Sequence, residues 1–214
     1  MRKLLWIAAL ALAFPMVAGA QDTPKVELFG GYSYLRVSEN VTLVNINPDV
    51  SPAVRPQPQG TVTTTSNPFS PLNLNGWNAA VQYNLNSWFG VVADFTGYYG
   101  SPTKTISGTP VTVDTNEYNY LFGPRFSYRK SERWTPFVHA LFGGGHVHVK
   151  GSAPGFTPVT FTDNAFSMAV GGGLDLKVAN HVAIRLVDAD YLMTKFGDDH
   201  QNNFRYSAGL VFRF

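Results

Sequence analysis

The last eleven residues of the chain alternate strictly between two kinds of side chain. One phase holds Phe204, Tyr206, Ala208, Leu210, Phe212 and Phe214, and the other holds Arg205, Ser207, Gly209, Val211 and Arg213. A period of two is the repeat of a β-strand, in which successive side chains point to opposite faces. An uncharged aromatic face invites aggregation in water, whereas the same face suits hydrocarbon. The pattern therefore predicts a strand with one face against lipid.

The same alternation recurs along the chain. It predicts eight strands, near 25–37, 73–85, 88–100, 115–129, 134–149, 164–178, 181–194 and 203–214. Tight connections at 86–87, 130–133 and 179–180 alternate with long ones at 38–72, 101–114, 150–163 and 195–202. Short turns at one end and long loops at the other are typical of bacterial outer-membrane barrels. We therefore predict an all-β fold, an eight-stranded antiparallel up-and-down transmembrane β-barrel, with its long loops outward and both termini periplasmic.

Aromatic residues cluster near the predicted strand ends. They are Trp77, Trp88, Trp134, Tyr98, Tyr99, Tyr128 and Tyr191. Such positions suit the two aromatic girdles at the membrane interfaces. A soluble lipocalin-like barrel, with an apolar interior and a polar exterior, stays open as an alternative because alternation alone does not tell which face is wet.

The first 20 residues predict a cleaved secretory signal. Arg2 and Lys3 precede an apolar run, and the small residues Ala18, Gly19 and Ala20 follow it. We expect residues 21–214 to form the barrel. Removing Arg2 and Lys3 from the 16 basic residues leaves 14, which equals the 14 acidic ones, so nucleic acid is not an expected partner. The chain has no cysteine, which excludes disulfides and thiolate chemistry.

The closing strand and the starting segment 26–34 resemble the OmpA-like or general bacterial outer-membrane β-barrel family. Members commonly end in Phe, with apolar residues at alternate positions and Tyr ninth from the end; here the pattern is filled by Tyr206, Ala208, Leu210, Phe212 and Phe214. The resemblance implies that this segment is the signal read by the barrel-assembly machinery. It also implies outer-membrane lipid and lipopolysaccharide as partners, and a monomer. No periplasmic peptidoglycan-binding domain is expected.

Charged residues on the inward phase form a candidate luminal network. An eight-stranded barrel is just wide enough for side chains to fill it. The predicted network contains Glu27, Asp94, Arg125, Asp175, Lys177, Arg185, Asp190 and Arg205, with Arg129, Arg213, His139 and Gln82 nearby. A β-bulge near 187–189 is needed to bring both Arg185 and Asp190 inside. The network either only satisfies the interior or, as the family's luminal salt bridges suggest, gates a passage.

The sequence predicts no catalytic residue, metal site or cofactor. His146 and His148 project from one strand face, which leaves a shared metal as an alternative to solvated rim histidines. Ser152 follows His148, but the His-x-Ser motif of lipid A-trimming barrels is absent. Asp198, Asp199 and His200 could bridge cations to lipopolysaccharide phosphates. The Pro-rich segment 38–72 is expected to be an extended, partly mobile loop.

These features favour an integral outer-membrane β-barrel that is not an enzyme, with a structural role in the envelope and surface loops for recognition or adhesion. A narrow pore or a conduit for a small hydrophobic ligand is the alternative, and a lipid A-modifying enzyme is a further one.

Overall fold

The computed structural model describes residues 23–37, 72–106, 108–155, 157–196 and 199–214. The predicted signal peptide, nearly all of the Pro-rich segment and Asp198 lie outside these residues, as do the side chains of Asp199 and His200. No helix in the described part of the chain is long and apolar enough to cross a membrane.

Nine β-strands follow one another along the described chain. They are β1 Val26–Val37, β2 Leu72–Asn84, β3 Phe89–Gly100, β4 Thr103–Ile106, β5 Thr109–Ser127, β6 Trp134–Ser152, β7 Val159–Ala179, β8 Val182–Phe196 and β9 Asp199–Arg213. Every pairing is antiparallel, and the pairings β1 with β9 and β3 with β5 close the sheet on itself. The short strand β4 pairs with β5 alone. The remaining eight strands confirm the predicted up-and-down barrel.

The two ends of the barrel differ. At the terminus end, the chain termini meet and short connections join β2 to β3, β5 to β6 and β7 to β8. The backbone of Phe214 hydrogen-bonds that of Val26 in both directions, at 2.8 and 3.1 Å. At the long-loop end, β5, β6 and β7 run on as a projecting sheet with β4 at its edge.

This projecting sheet corrects the predicted loops at 101–114 and 150–163. Most of those residues are strand, and pairing continues as far as Thr112 with Ser152 and Gly151 with Val159. The outward face of the extension is polar and rich in threonine, so the apolar-outward pattern that marks a lipid-facing strand is missing there. Threonine nevertheless favours strands, and the backbone ladder continues past the lipid-facing band.

The predicted bulge in β8 is confirmed, one residue earlier than expected. Leu186 and Val187 are neighbours in sequence, yet both face outward and are 46% and 42% exposed. The pairing register with β9 shifts between Arg185 and Asp188 at the same place. The extra residue changes the phase of the strand, so Asp188 and Asp190 face inward like Arg185.

Aromatic side chains ring the outer surface at both ends. At the terminus end, the Trp88 ring stacks on Phe126 with centroids 5.8 Å apart. At the long-loop end, Trp77 Nε1 donates a hydrogen bond to the Tyr99 hydroxyl at 3.3 Å. Tyr98 departs from the predicted girdle: it is fully buried and its hydroxyl lies 3.0 Å from Ser33 Oγ. Its neighbour Tyr99 takes the outward position because the two residues lie on opposite phases.

Glycines allow the narrow barrel to close. A Cβ at Gly171 would lie 2.2 Å from the Ala189 carbonyl oxygen and 2.1 Å from Asp190 Oδ1, so no larger residue fits without moving β8. On the outside, a Cβ at Gly144 would lie within 2.7 Å of three atoms of the Tyr120 ring and hydroxyl, which shows that this aromatic side chain covers the bare backbone.

Candidate functional site in the barrel interior

The strands bring the predicted luminal charges into the interior, with one exception. Seven of the eight residues are at most 3% exposed: Glu27, Asp94, Arg125, Asp175, Arg185, Asp190 and Arg205. They come from β1, β3, β5, β7, β8 and β9, because on each of these strands the inward phase carries at least one of them.

Lys177 is the exception, and its predicted place in the network is wrong. Its side chain is exposed and lines a shallow surface pocket with Glu132 and Arg133 at the terminus end. The register between β7 and β8 shifts between Lys177 and Ala179, beside the turn that joins these strands. The strand has left the filled part of the lumen at that point, so the inward phase no longer implies burial.

Arg205 is the centre of the first cluster of charges. Its Nη1 lies 2.6 Å from Asp94 Oδ1, and its Nε lies 2.7 Å from Asp190 Oδ2. One guanidinium thus joins carboxylates of two strands that are not neighbours in the sheet. Asp94 also accepts a hydrogen bond from Asn78 Nδ2 at 2.8 Å. Charge-assisted hydrogen bonds of this kind are short and strong, and they fix the distance across the lumen.

Arg185 is the centre of the second cluster. Its Nε and Nη2 donate to the two oxygens of Asp175 at 2.8 and 3.3 Å, and its Nη1 lies 3.0 Å from Asp188 Oδ2. The guanidinium also lies 4.3 Å from the ring centre of Phe29 and 4.5 Å from that of Phe137. Arg125 approaches the Phe137 ring to 4.1 Å. Two guanidiniums therefore contact one ring, where its π-electrons attract cations.

His139 links the two clusters. Arg125 Nη2 lies 3.2 Å from His139 Nδ1, and His139 Nε2 lies 2.6 Å from Asp190 Oδ1. Because arginine only donates hydrogen bonds, Nδ1 must be the acceptor; because the carboxylate accepts, Nε2 carries the proton. The geometry therefore assigns Nδ1 as the acceptor and Nε2 as the donor.

Glu27 holds the network together at the terminus end. It pairs with Arg129, accepts from Asn84 Nδ2 at 2.8 Å, and its Oε2 lies 3.3 Å from Arg213 Nε. Arg213 Nη2 in turn lies 3.6 Å from Asp175 Oδ2, which connects this end to the Arg185 cluster.

A metal site in this interior does not fit the charges. His139, Asp188 and Asp190 are the one group of three possible ligands found among the described residues, with ligand atoms within 4.8 Å of one another. Both carboxylates already pair with guanidiniums, those of Arg185 and Arg205. A cation would have to displace or face these fixed positive charges, which is unfavourable in an interior of low dielectric.

Apolar side chains fill the part of the lumen that lies beside the charged clusters, among buried polar residues such as Asn119 and Ser167. A luminal leucine layer of five residues with no exposed surface belongs to the core cluster there: Leu35, Leu74, Leu121, Leu141 and Leu192. The inward phase therefore carries apolar as well as charged residues. Apolar side chains need no hydrogen-bond partners, so they fill a closed lumen at lower cost than polar ones. The leucines were visible on the inward phase in the sequence, as was Asp188, two residues before Asp190.

The histidines singled out in the sequence lie on the outward face of the projecting sheet. His146 Nδ1 is 2.8 Å from Asn164 Oδ1, and His148 Nδ1 is 2.9 Å from Thr162 Oγ1. Ser152 lies further along the same face of β6, and in the described part of the chain no hydrogen bond joins it to His148. The arrangement does not assemble a nucleophile with a base.

The terminal strand presents its aromatic phase to the outside. Tyr206, Leu210, Phe212 and Phe214 are 46%, 45%, 43% and 63% exposed, and Ala208 shares their face. The opposite phase of β9 contributes Arg205 and Arg213 to the lumen. One strand therefore serves both the lipid-facing surface and the ion pairs. Its role as an assembly signal stays a prediction.

Comparisons with known proteins agree with this architecture. The family model described as outer membrane protein beta-barrel domain matches residues 6–214. The crystal structure of Ail, the attachment invasion locus protein of Yersinia pestis, is similar with a TM-score of 0.52 at 22% identity, covering 89% of this chain and 99% of that chain. Ail in complex with the heparin analogue sucrose octasulfate gives 0.53 at 20% identity, with the same coverage of 89% and 99%.

Neisserial surface protein A (NspA) has a TM-score of 0.55 at 11% identity, covering 91% of this chain and 100% of that chain. A comparison with curated proteins gives no match. At these identities the structural likenesses show the fold alone. Because the family model covers nearly the whole chain, the protein belongs to the outer-membrane β-barrel family and to the bacterial outer membrane.

Proposed function

We propose that this protein is a sealed, non-conducting and non-enzymatic barrel that stabilises the outer membrane and presents its projecting sheet at the cell surface for recognition or adhesion. The filled lumen carries the proposal. The luminal leucine layer and the charges of the Arg185 and Arg205 clusters have almost no exposed surface. An ion crossing the barrel would have to pass both, and the buried pairs would resist separation.

The orientation in the membrane is proposed from the lengths of the connections between the strands. Short turns of outer-membrane barrels lie in the periplasm and long connections lie outside. The long-loop end would then face the cell exterior. From Tyr118 in the girdle to Thr109 at the start of β5, the strand runs on for nine residues. At the usual rise per residue this is roughly 30 Å along the strand, enough to carry a contact surface clear of the lipid headgroups.

The proposed partners are outer-membrane lipid and lipopolysaccharide at the aromatic girdles, and the barrel-assembly machinery during biogenesis. The protein would act as a monomer, and nucleic acid is not a proposed partner. The name of Ail, an attachment invasion locus protein, supports an adhesive role for a barrel of this shape. Enzymatic activity is not proposed, since His148 hydrogen-bonds Thr162 and has no bond to Ser152 in the described structure.

Conductance in planar bilayers tests the sealed lumen. The refolded barrel should give no unitary current steps, because the leucine layer leaves no continuous path for water. A variant with Leu121→Gly and Leu141→Gly removes two neighbours of that layer and should raise the frequency of steps. Steady unitary currents from the unaltered protein would support the narrow pore in place of the sealed barrel.

Labelling of intact cells tests the orientation. An epitope inserted after Pro154, between β6 and β7, should bind antibody on unbroken cells, whereas one inserted after Ser131 should bind only after lysis.

Adhesion is tested separately with a shortened β6–β7 hairpin. His148 pairs with Thr162, so joining these residues through Asn-Gly removes 149–161 and keeps the register. This variant should lose attachment to host cells while it keeps its barrel.

A further inference from the structure

The inward face of the projecting sheet carries a group of apolar residues past the aromatic girdle. We call this surface the mouth face; its apolar members are Val111, Val113, Val147, Val149, Val159 and Phe161. Val149 pairs with Phe161 across β6 and β7, and Gly151 lies between Val113 and Val159 in the next row. On β7, Val159 and Phe161 share the phase of Ser167 and Ala169, which point into the lumen, and the pairing register places the members from β5 and β6 on the same face.

Part of this face is open. Val159 is 54% and Phe161 57% exposed, whereas Val113, two strands away, is 9% exposed. On the lipid-facing band, exposed apolar residues meet hydrocarbon, but the mouth face looks toward the barrel axis. Contiguous apolar surface in water usually marks a binding site.

A buried carboxylate lies at the base of the mouth face. Glu117 is 5% exposed, and its one described hydrogen bond is the donation from Asn119 Nδ2 to Oε1 at 3.0 Å. The other five buried luminal carboxylates each have an arginine within 4.0 Å: Glu27, Asp94, Asp175, Asp188 and Asp190. Within the described residues Glu117 has no such partner. Burying a carboxylate without a cation is costly, so the site favours a ligand that supplies one.

The charge and the apolar wall are adjacent. Glu117, Val147 and Asp163 form one row across β5, β6 and β7, directly below the row that contains Val149 and Phe161. With strands about 4.8 Å apart, the two acidic residues flank Val147 at a separation of roughly 10 Å. Lys104 is on the same face, but it pairs with Val111, roughly 20 Å along the strand from Glu117.

We propose that the mouth face binds a small cationic amphiphile, with its apolar body on Val149 and Phe161 and its ammonium group at Glu117. An ammonium donates up to three hydrogen bonds and neutralises the carboxylate, and the weak local screening strengthens their attraction. This goes beyond the proposed structural role and does not depend on whether the lumen conducts.

The test is a titration of the full barrel in lipid nanodiscs with n-hexylammonium, n-hexanol and n-hexanoate, followed through the valine methyl signals in NMR spectra. Hexylammonium should shift the Val147 and Val149 methyl signals saturably, and it should bind at least tenfold more tightly than hexanol or hexanoate. Comparing three probes on the unaltered protein removes non-specific partition into lipid and needs no variant to fold.

Two isosteric variants locate the charge. Glu117→Gln should weaken hexylammonium binding at least tenfold, whereas Asp114→Asn, on the opposite face of the same strand, should leave it unchanged. Equal binding to Glu117→Gln and the unaltered barrel, or equal affinity for hexanoate, would overturn the proposal. Arg55 lies outside the described residues; a shift of the same methyl signals on Arg55→Ala without any probe would also overturn the proposal, since the cation would then come from the chain itself.

Discussion

Replacing Arg205 with methionine tests whether the luminal ion pairs hold the barrel together. Arg205 is the one arginine within ion-pair distance of either Asp94 or Asp190 among the described residues. Methionine has a similar length and fills the space, so the substitution removes the charge with little loss of packing. Within the described residues, Asp94 would then keep a hydrogen bond only with Asn78, and Asp190 only with His139.

The size of the effect follows from burial. All three side chains are at most 1% exposed, so water does not replace the lost partner. Removing one member of a buried ion pair usually costs about 3–5 kcal/mol, because the other charge is left uncompensated. The unfolding equilibrium should therefore shift by roughly two to four powers of ten, at 1.4 kcal/mol for each.

Guanidinium unfolding in phospholipid vesicles, followed by tryptophan fluorescence, measures this change. The matched control is a triple variant that combines Arg205→Met with Asp94→Asn and Asp190→Asn. Because the two unpaired carboxylates are removed, this variant should recover at least half of the lost stability. A loss below about 1 kcal/mol for Arg205→Met alone would refute the reasoning, because that is the size expected of exposed pairs.

Three further predictions concern the glycine contacts, the exposed lysine and the terminal residue. Gly171→Ala should prevent or slow refolding, seen as loss of heat-modifiable mobility, because its Cβ would overlap Ala189 backbone; Gly30→Ala, with nothing within 4 Å, should refold normally. Lys177→Met should change the free energy of unfolding by less than about 0.5 kcal/mol in the same vesicle assay, since the residue is exposed; a loss of several kcal/mol would place it in the network after all. Phe214→Ala should lower the amount of barrel assembled in cells but leave refolding in detergent almost unchanged, because its side chain is 63% exposed while its backbone closes the sheet. Equal losses in both settings would assign Phe214 a structural role alone.

Much of the fold was predictable because lipid imposes a simple rule on each strand. Residues of β9 such as Tyr206 and Phe212 must face hydrocarbon, so their alternation reports both the strand and its orientation. The rule fails where lipid ends. The extensions of β5, β6 and β7 have a polar outward face and were therefore interpreted as loops, although their backbones pair without interruption.

The sequence predicted which charged residues face the lumen, but it did not predict which of them contact one another. Seven charged residues were placed inside because each lies on the inward phase of its strand. Which charges meet depends on strand tilt and closure, which bring Asp94 of β3 to Arg205 of β9 although β1 and β2 lie between these strands. The mouth face was missed for a similar reason, since Val149 and Phe161 share a surface only once β6 and β7 are paired.

The sequence by itself determined the class of this protein: period-two alternation with aromatic strand ends specifies strands that bury one face in lipid, and an eight-stranded barrel must fill its interior. Only the tertiary structure decided how that interior is organised, because pairing of charges, the burial of the leucine layer and the isolation of Glu117 depend on distances across the closed barrel. Local pattern sets the direction in which a side chain points, whereas its partner is set by the register and closure of the whole sheet.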